Sequence, residues 1–409
     1  MELTANTPQQ LRHTNMNAIL GVMRRSGAVN GTDLIAATGL ARATVIAVCD
    51  DLIAAGWVRE LPAARVAVQK GRPARVFEFD ARAGVVVGLD FGVAKTTAVV
   101  ADLRGTILAK TTQILPAFTA PDSERLASID SAVRRALADA GAAPESVLVA
   151  GIGIAAPIDR SGAIPRGQDF WEHLDIGVPE HLRKNYGWPV LLGNDANLAA
   201  MAEHWMGVGA HVPDLAVMLA GERIGFGLLE SGRLLHGAFG RSGEVGLLEL
   251  VDGVGTPAGI AALAREMAAE ACRPGAPKTL LSAPGAPVAQ GAGSAGASAA
   301  GPSAEDVFAA AAAGDAVARR ILEDIARRMA RVIAVVSTLM DPELVVIGGA
   351  VAQSAAVLLD PLETELARFM PNPPRVAVST LGDAIVTLGA VRLALDYVER
   401  HALDLLQRS

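Results

Sequence analysis

The stretch Val85-Val86-Val87-Gly88-Leu89-Asp90-Phe91-Gly92-Val93-Ala94-Lys95-Thr96-Thr97-Ala98-Val99-Val100-Ala101-Asp102-Leu103-Arg104-Gly105 decides how the chain is read. Two β-branched runs flank a short turn, which predicts a β-hairpin presenting Asp90, Gly92 and Lys95 at its bend. Asp102 to Gly105 then turns the chain into a third strand beginning at Thr106. A buried strand pair ending in an acid and a glycine suits the holding of a nucleotide's phosphates, because backbone N–H groups and a metal-orienting carboxylate can both approach there. The plan recurs at Leu215 to Gly221, Gly225 to Leu229 and Gly232 to Leu235, again strand, glycine turn, strand, turn, strand. Two copies imply two facing lobes with a ligand in the cleft between them.

Outward from the hairpin, Val147 to Pro157 is a buried strand leaving through a glycine-proline turn. Pro189 to Gly193 is another, delivering Asn194, Asp195, Ala196 and Asn197 to the start of a helix that runs through Glu203 and Trp205. An acid at the exit of a strand and the mouth of a helix is well placed to accept a hydroxyl proton. An asparagine-aspartate pair there can equally cap the helix and do nothing chemical. Residues 273–304 are rich in Ala, Gly, Pro and Ser with almost no charge, which predicts a flexible surface insertion. Helices over 304–340, a strand over 343–350 and a final helix over about 383–405 complete the chain.

Before the hairpin the pattern is different. Thr14 is expected to cap a helix from about Asn15 to Arg25 with Met16, Ile19, Leu20 and Met23 on one face. A short helix from Thr32, a turn at Gly39 and a third helix from Arg42 to Ala55, burying Val45, Val48, Leu52 and Ile53, give a helix-turn-helix. Trp57 to Glu60 and Arg75 to Phe79, on either side of Lys70-Gly71-Arg72-Pro73, add a wing. The third helix would then enter a major groove with Arg42, Ala43, Thr44 and Ala47 on its exposed side, while Lys70, Arg72 and Arg75 reach phosphates or the minor groove. Asp50 and Asp51 on the same helix must point away from phosphate. A small helical protein-interaction module is the alternative reading of residues 11–80, and the completeness of the winged pattern favours DNA binding over it.

The length of 409 residues, with 51% hydrophobic residues, bounds a globular chain of two or three domains. Its longest apolar run, 147–158, is broken by Gly151, Gly153 and Pro157 and is too short for a bilayer span. The first six residues lack the regions of a secretory signal, so a cytoplasmic protein is expected. Cys49 and Cys272 have no metal-ligand or disulfide spacing. The formal charge of -7 is uneven: residues 1–82 carry ten basic against seven acidic residues. A modestly basic head on an acidic body suits a nucleic-acid-binding arm on a small-molecule domain.

From residue 11 to the C-terminus the chain resembles the transcriptional-regulator branch of the ROK family (repressors, open reading frames, kinases). The motifs that carry the resemblance are Gly193 to Glu203, Gly232-Arg233-Leu234-Leu235-His236-Gly237 and Gly243-Glu244-Val245-Gly246. The resemblance implies an α/β fold: a winged helix-turn-helix over 1–82, then a two-lobed actin-like (ribonuclease H-like) sugar-kinase fold. The lobes would span 83–195 and 196–409, with a C-terminal helix returning to the first. It also implies double-stranded DNA as a partner, a sugar or sugar derivative as effector at Asn194, Asp195 and Glu244, and a homodimer or homotetramer.

The departures from the family pattern are as informative. Family kinases read Asp-x-Gly-Gly-Thr-Lys in the first phosphate loop, where this chain has Asp90-Phe91-Gly92-Val93-Ala94-Lys95; the second, Gly-Thr-Gly-Ile-Gly-Gly-Gly, is here Gly221-Glu222-Arg223-Ile224-Gly225-Phe226-Gly227. A carboxylate stands where a phosphate would be cradled, disfavouring ATP unless Glu222 pairs with Arg223. The family's zinc histidine is replaced by Leu247 and its cysteines are absent, so neither a structural metal nor a cofactor is expected, and an ordinary hexose loses one contact. A ligand-sensing regulator in which Asp195 is a vestigial base is therefore favoured. The competing readings are an active sugar kinase carrying a DNA-binding head and a repressor gated by a partner protein.

Overall fold

The computed structural model describes residues 8–62, 75–117, 119–165, 171, 174–282 and 301–406. Its N-terminal unit comprises α1 (Pro8–Arg25), β1 (Val29–Asn30), α2 (Gly31–Thr38), α3 (Arg42–Ala54), β2 (Val58–Leu61) and β3 (Val76–Phe79), with the strands antiparallel in the order β1-β3-β2. α1 starts earlier than the sequence suggests. Thr14 lies inside it and donates its hydroxyl to the Gln10 carbonyl at 3.0 Å, so it is no cap. Met16, Ile19, Leu20 and Met23 form the expected stripe and pack with Leu34 of α2, Val45, Val48, Cys49 and Leu52 of α3, and Phe77 and Phe79 of β3. Cys49 takes the core position expected of Ile53, which is half-buried. Asn30 caps α2, its Oδ1 accepting from the Thr32 and Asp33 N–H groups, both at 2.9 Å. Gly39, at φ +68°, ends that helix, and the chain bends by 114° into α3.

The body follows with β4 (Val85–Phe91), β5 (Lys95–Asp102), β6 (Ile107–Ile114), α4 (Asp122–Asp139), β7 (Val147–Ile154), α5 (Val178–Tyr186), β8 (Val190–Asn194) and α6 (Asp195–Met206). Then come β9 (Leu215–Ala220), β10 (Ile224–Glu230), β11 (Arg233–Leu234), α7 (Ile260–Ala271), α8 (Ala304–Ala312), α9 (Ala316–Met340), β12 (Leu344–Gly348), α10 (Ala352–Ala355), α11 (Leu359–Phe369), β13 (Arg375–Val378), α12 (Ile385–Arg400) and α13 (Ala402–Leu406). The first sheet has the order β6-β5-β4-β7-β8 and the second β11-β10-β9-β12-β13. In each, three antiparallel strands are extended by two parallel ones. The repeat read from the sequence is thus a repeat of topology. Of the insertion expected over 273–304, residues 283–300 lie outside the described residues.

α6 and α12 pair with each other between the two sheets; α12 lies on β4 and β7, and α6 on β9 and β10. The helix expected over 383–405 is in fact two, broken at His401, and the longer of them covers the first sheet. No single described helix is long and apolar enough to cross a membrane.

The N-terminal unit is clamped to this body by more than its linker. Arg104, on the turn between β5 and β6, donates to the carbonyls of Arg24 at 2.6 Å, Ser26 at 3.0 Å and Met23 at 3.3 Å, capping the C-terminal end of α1. Its guanidinium also stands 5.6 Å from the Phe79 ring centre. Arg24 pairs with Glu399 of α12 at 2.5 Å, and Arg392 of α12 holds the same Glu399 oxygen at 3.1 Å. Val391, Ala394, Leu395 and Val398 of α12 share the apolar core of the N-terminal unit.

Candidate functional site

Asp195 feels the charges of two other carboxylates, Asp90 and Glu244, where the lobes meet. Asp90 lies near the end of β4, Asp195 opens α6, and Glu244 sits in the loop after β11. Burial pushes Asp90 up to about 6, with Lys95 opposing and Asp383 adding to the rise. Asp195 is pushed up to about 7, chiefly by burial; the Ala196 N–H, donating to its Oδ1 at 2.8 Å, opposes this, and the charges of Asp90 and Glu244 reinforce it. Desolvation by the surrounding protein also raises Glu244, against Arg223 and Arg241, although the residue as a whole is exposed. Asp195 is therefore poised to gain or lose a proton near neutrality. Among the described residues no group of three or more His, Cys, Asp and Glu side chains could hold a metal ion.

Asn194 fills the capping role in full. It is buried, its Oδ1 accepts from the Asn197 N–H at 3.0 Å, and its Nδ2 donates to the Ala156 carbonyl at 3.1 Å. β8, α6 and the exit of β7 are thereby fixed to one another.

The two loops that the family resemblance makes phosphate loops are held by contacts within the protein. The Gly92 N–H donates to the Lys95 carbonyl at 3.0 Å. Arg125 of α4, 1% exposed and 5.3 Å over the Phe91 ring, donates to the Gly92 and Val93 carbonyls at 3.5 and 3.1 Å. Lys95 lies 4.0 Å from Asp383, whose other oxygen accepts from Lys110 at 3.0 Å; the two lysines hold that carboxyl below its ordinary range. In the second loop the Gly221 carbonyl accepts from the Ala261 N–H at 3.1 Å and the Glu222 carbonyl from the Gly259 N–H at 2.9 Å. The Glu222 carboxylate is gripped bidentately by Arg265 of α7, at 2.8 and 2.5 Å, where the sequence had offered Arg223; the backbone of Arg223 forms an isolated β-bridge with Ala258. Gly225 abuts the start of α6 at Ala196.

Arg125, Asp383 and Arg265 were not singled out from the sequence. Only Arg125 leaves a trace there, as a charge on the same helix face as Ile129, Ala132, Val133 and Ala136.

A cavity of about 560 Å³ opens beside these groups, with Asn194, Asn197, Asp159, Arg160 and His236 in a largely aliphatic wall; Asp195 and Glu244 do not line it. A recess of about 470 Å³, which includes Phe239 and Arg241, shares Asp159 and Arg160 with it. The loops forming the two sides touch at Gly240, where a Cβ would lie 1.9 Å from the Ile158 carbonyl oxygen.

In the N-terminal unit, Arg42 is exposed and Thr44 half-buried at the start of α3. Arg75, expected on the wing facing DNA, pairs instead with Asp50 at 2.7 Å and Glu60 at 2.8 Å and stacks 5.0 Å over Phe77, so its charge is satisfied inside the unit. Asp51 is paired with Arg12 at 2.6 Å. Lys70 and Arg72, and the side chain of Leu247, lie outside the described residues.

Comparison with known proteins agrees with this arrangement. A glucokinase of Halalkalibacterium halodurans is 30% identical over 265 residues, covering 58% of this chain and 74% of the glucokinase. A xylose repressor of Caldicellulosiruptor bescii is 24% identical over 411 residues, covering 94% of this chain and 96% of the repressor. A solved structure of a ROK family transcriptional regulator, a homologue of the E. coli MLC protein, superposes with a TM-score of 0.74 at 20% identity over 97% of this chain and 99% of its own, a likeness of fold. Residues 86–397 match the ROK family itself, and with its paired mixed sheets in a sugar-kinase-like α/β fold the chain belongs to that family.

Proposed function

We propose that this chain is a DNA-binding transcriptional regulator of the ROK family whose kinase-like body senses a small sugar-like effector instead of phosphorylating it. The observation that carries this reading is the 114° bend between α2 and α3 across the short turn at Gly39, the geometry of a helix-turn-helix, completed by the antiparallel strands β2 and β3 as a wing. Arg42 and Thr44 on the first turn of α3 are the residues placed to read base edges. The repressor and regulator relatives extend over this N-terminal unit as well as the body. The satisfied phosphate loops support sensing over catalysis, since a phosphate would have to displace Lys95 from Asp383 and meet Glu222.

In this reading the effector lies between the lobes near Asn194, Asp195 and Glu244, and closure around it moves α12. Because α12 carries Glu399 and Arg392 against α1, a change at the cleft alters how the two heads of a dimer are spaced on duplex DNA. A second reading, an active sugar kinase with a DNA-binding head, is favoured by one observation: Asp195, pushed up to about 7, suits a general base. Selection of duplexes from a random pool separates the two. The full chain should enrich a two-fold-related motif with steep salt dependence, and Arg42→Glu should abolish it; failure to enrich any sequence refutes the regulator.

A further inference from the structure

Resting on the effector site just proposed, we propose that the 560 Å³ cavity beside Asn194 is a second compartment of that site and that it takes the apolar substituent of a glycoside, with Asn197 as its polar anchor. Asn197 follows the cap on α6 and is 7% exposed. Its Oδ1 is buried without a hydrogen-bond partner, and its carboxamide makes no hydrogen bond with any described residue. Its backbone N–H already serves the Asn194 cap, so the side chain is not needed to start the helix. The sealed Oδ1 is beyond a ligand's reach, so what the amide offers the cavity is its Nδ2–H donor, which serves no described residue of the protein.

The cavity it faces has the volume and the mix of a small-molecule site, mostly aliphatic with a few convergent polar groups. Leu192, Leu198, Met201, Leu234 and Leu393 supply the apolar wall, which offers nothing to the hydroxyls of a bare sugar and suits a hydrocarbon group joined to one. The sugar ring would lie toward Asp195 and Glu244, its linking oxygen or neighbouring hydroxyl meeting Asn197, and the substituent would reach back against α12 through Leu393. Leu393 follows Arg392, which grips Glu399 and so the partner of Arg24 in the N-terminal unit. Occupancy of this compartment therefore bears on the helix that carries the DNA-reading head.

The test uses the full chain, titrated calorimetrically with glucose, xylose and N-acetylglucosamine and with the phenyl β-glycoside of each. At least one phenyl glycoside should bind tenfold or more tightly than its parent sugar. Asn197→Ala should lose that binding by tenfold or more while its melting temperature stays level or rises, because the protein itself does not use the amide. Met201→Phe, which fills the compartment, should erase the advantage of the phenyl group and leave the parent sugar's affinity in place. Equal affinities for sugar and glycoside, or unchanged binding in Asn197→Ala, overturn the compartment; if Asp195→Ala still weakens sugar binding in that case, the effector site stands without it. If no sugar or glycoside binds, both fall together.

Discussion

Replacing Arg104 by alanine tests whether the N-terminal unit is rigidly docked. The substitution removes two good hydrogen bonds, at 2.6 and 3.0 Å, a longer one at 3.3 Å, and the stacking over Phe79. A hydrogen bond from a charged group contributes about 1.5–3 kcal/mol, but this guanidinium is half-buried and water can reach carbonyls left bare at a helix end. A net loss of about 2–3 kcal/mol in docking follows, or about 30- to 140-fold in the ratio of docked to undocked heads. Amide hydrogen exchange reads this directly: the last turn of α1 and the Leu103 N–H, which donates to the Ala81 carbonyl at 3.0 Å, should exchange faster by up to that factor, while β4 and β7 stay protected. Arg104→Lys should rescue little, since one ammonium cannot span three carbonyls. Wild-type protection of α1 in Arg104→Ala would refute the clamp.

The other expectations concern the body and the site. Asp90 and Asp195 have folded pKa values raised to about 6 and 7, so between about pH 4 and 7 these two carboxyls hold more protons in the folded than in the unfolded state, and the stability they contribute falls as pH rises. Urea unfolding across that range should show the fall, and Asp195→Asn should flatten it; an identical pH slope in the variant would refute the assignment. Gly227→Ala places a Cβ 2.1 Å from the Ala196 carbonyl oxygen and should push α6 off β10 at a cost of about 2–3 kcal/mol, read as a lowered denaturation midpoint; an unchanged midpoint would contradict the packing. Glu222→Gln breaks an exposed pair with Arg265 and should cost under about 1 kcal/mol in thermal unfolding without creating ATP turnover; appearance of turnover would show that this carboxylate alone blocks the nucleotide.

All strands of the two five-stranded sheets except β13 were legible because their signal is local: β-branched runs ended by glycine turns, repeated in the same order; the four-residue β13 gave no such signal. The start of α6 was equally plain, since Asn194 caps it with its own side chain. What the sequence did not reveal is pairing at a distance. Glu222 finds Arg265 43 residues away and Lys110 finds Asp383 273 residues away, and no periodicity links such partners. The same gap explains Arg75: its position on the wing was readable, but not that Asp50 and Glu60 would turn its charge inward. Thr14 misled for another reason, being a good cap residue that sits mid-helix with its hydroxyl bonded back to Gln10.

The central claim, a body that senses instead of phosphorylating, is tested most directly by one titration. The full chain is mixed with a duplex obtained by selection, with magnesium and ATP present, and a panel of sugars and glycosides is added while fluorescence anisotropy reports DNA binding and a coupled assay reports ADP. At least one compound should shift the DNA affinity tenfold or more, Asp195→Ala should weaken the response, and no ADP should form. Sugar-dependent ADP formation that vanishes in Asp195→Asn, with DNA affinity unmoved by any compound, would contradict that claim.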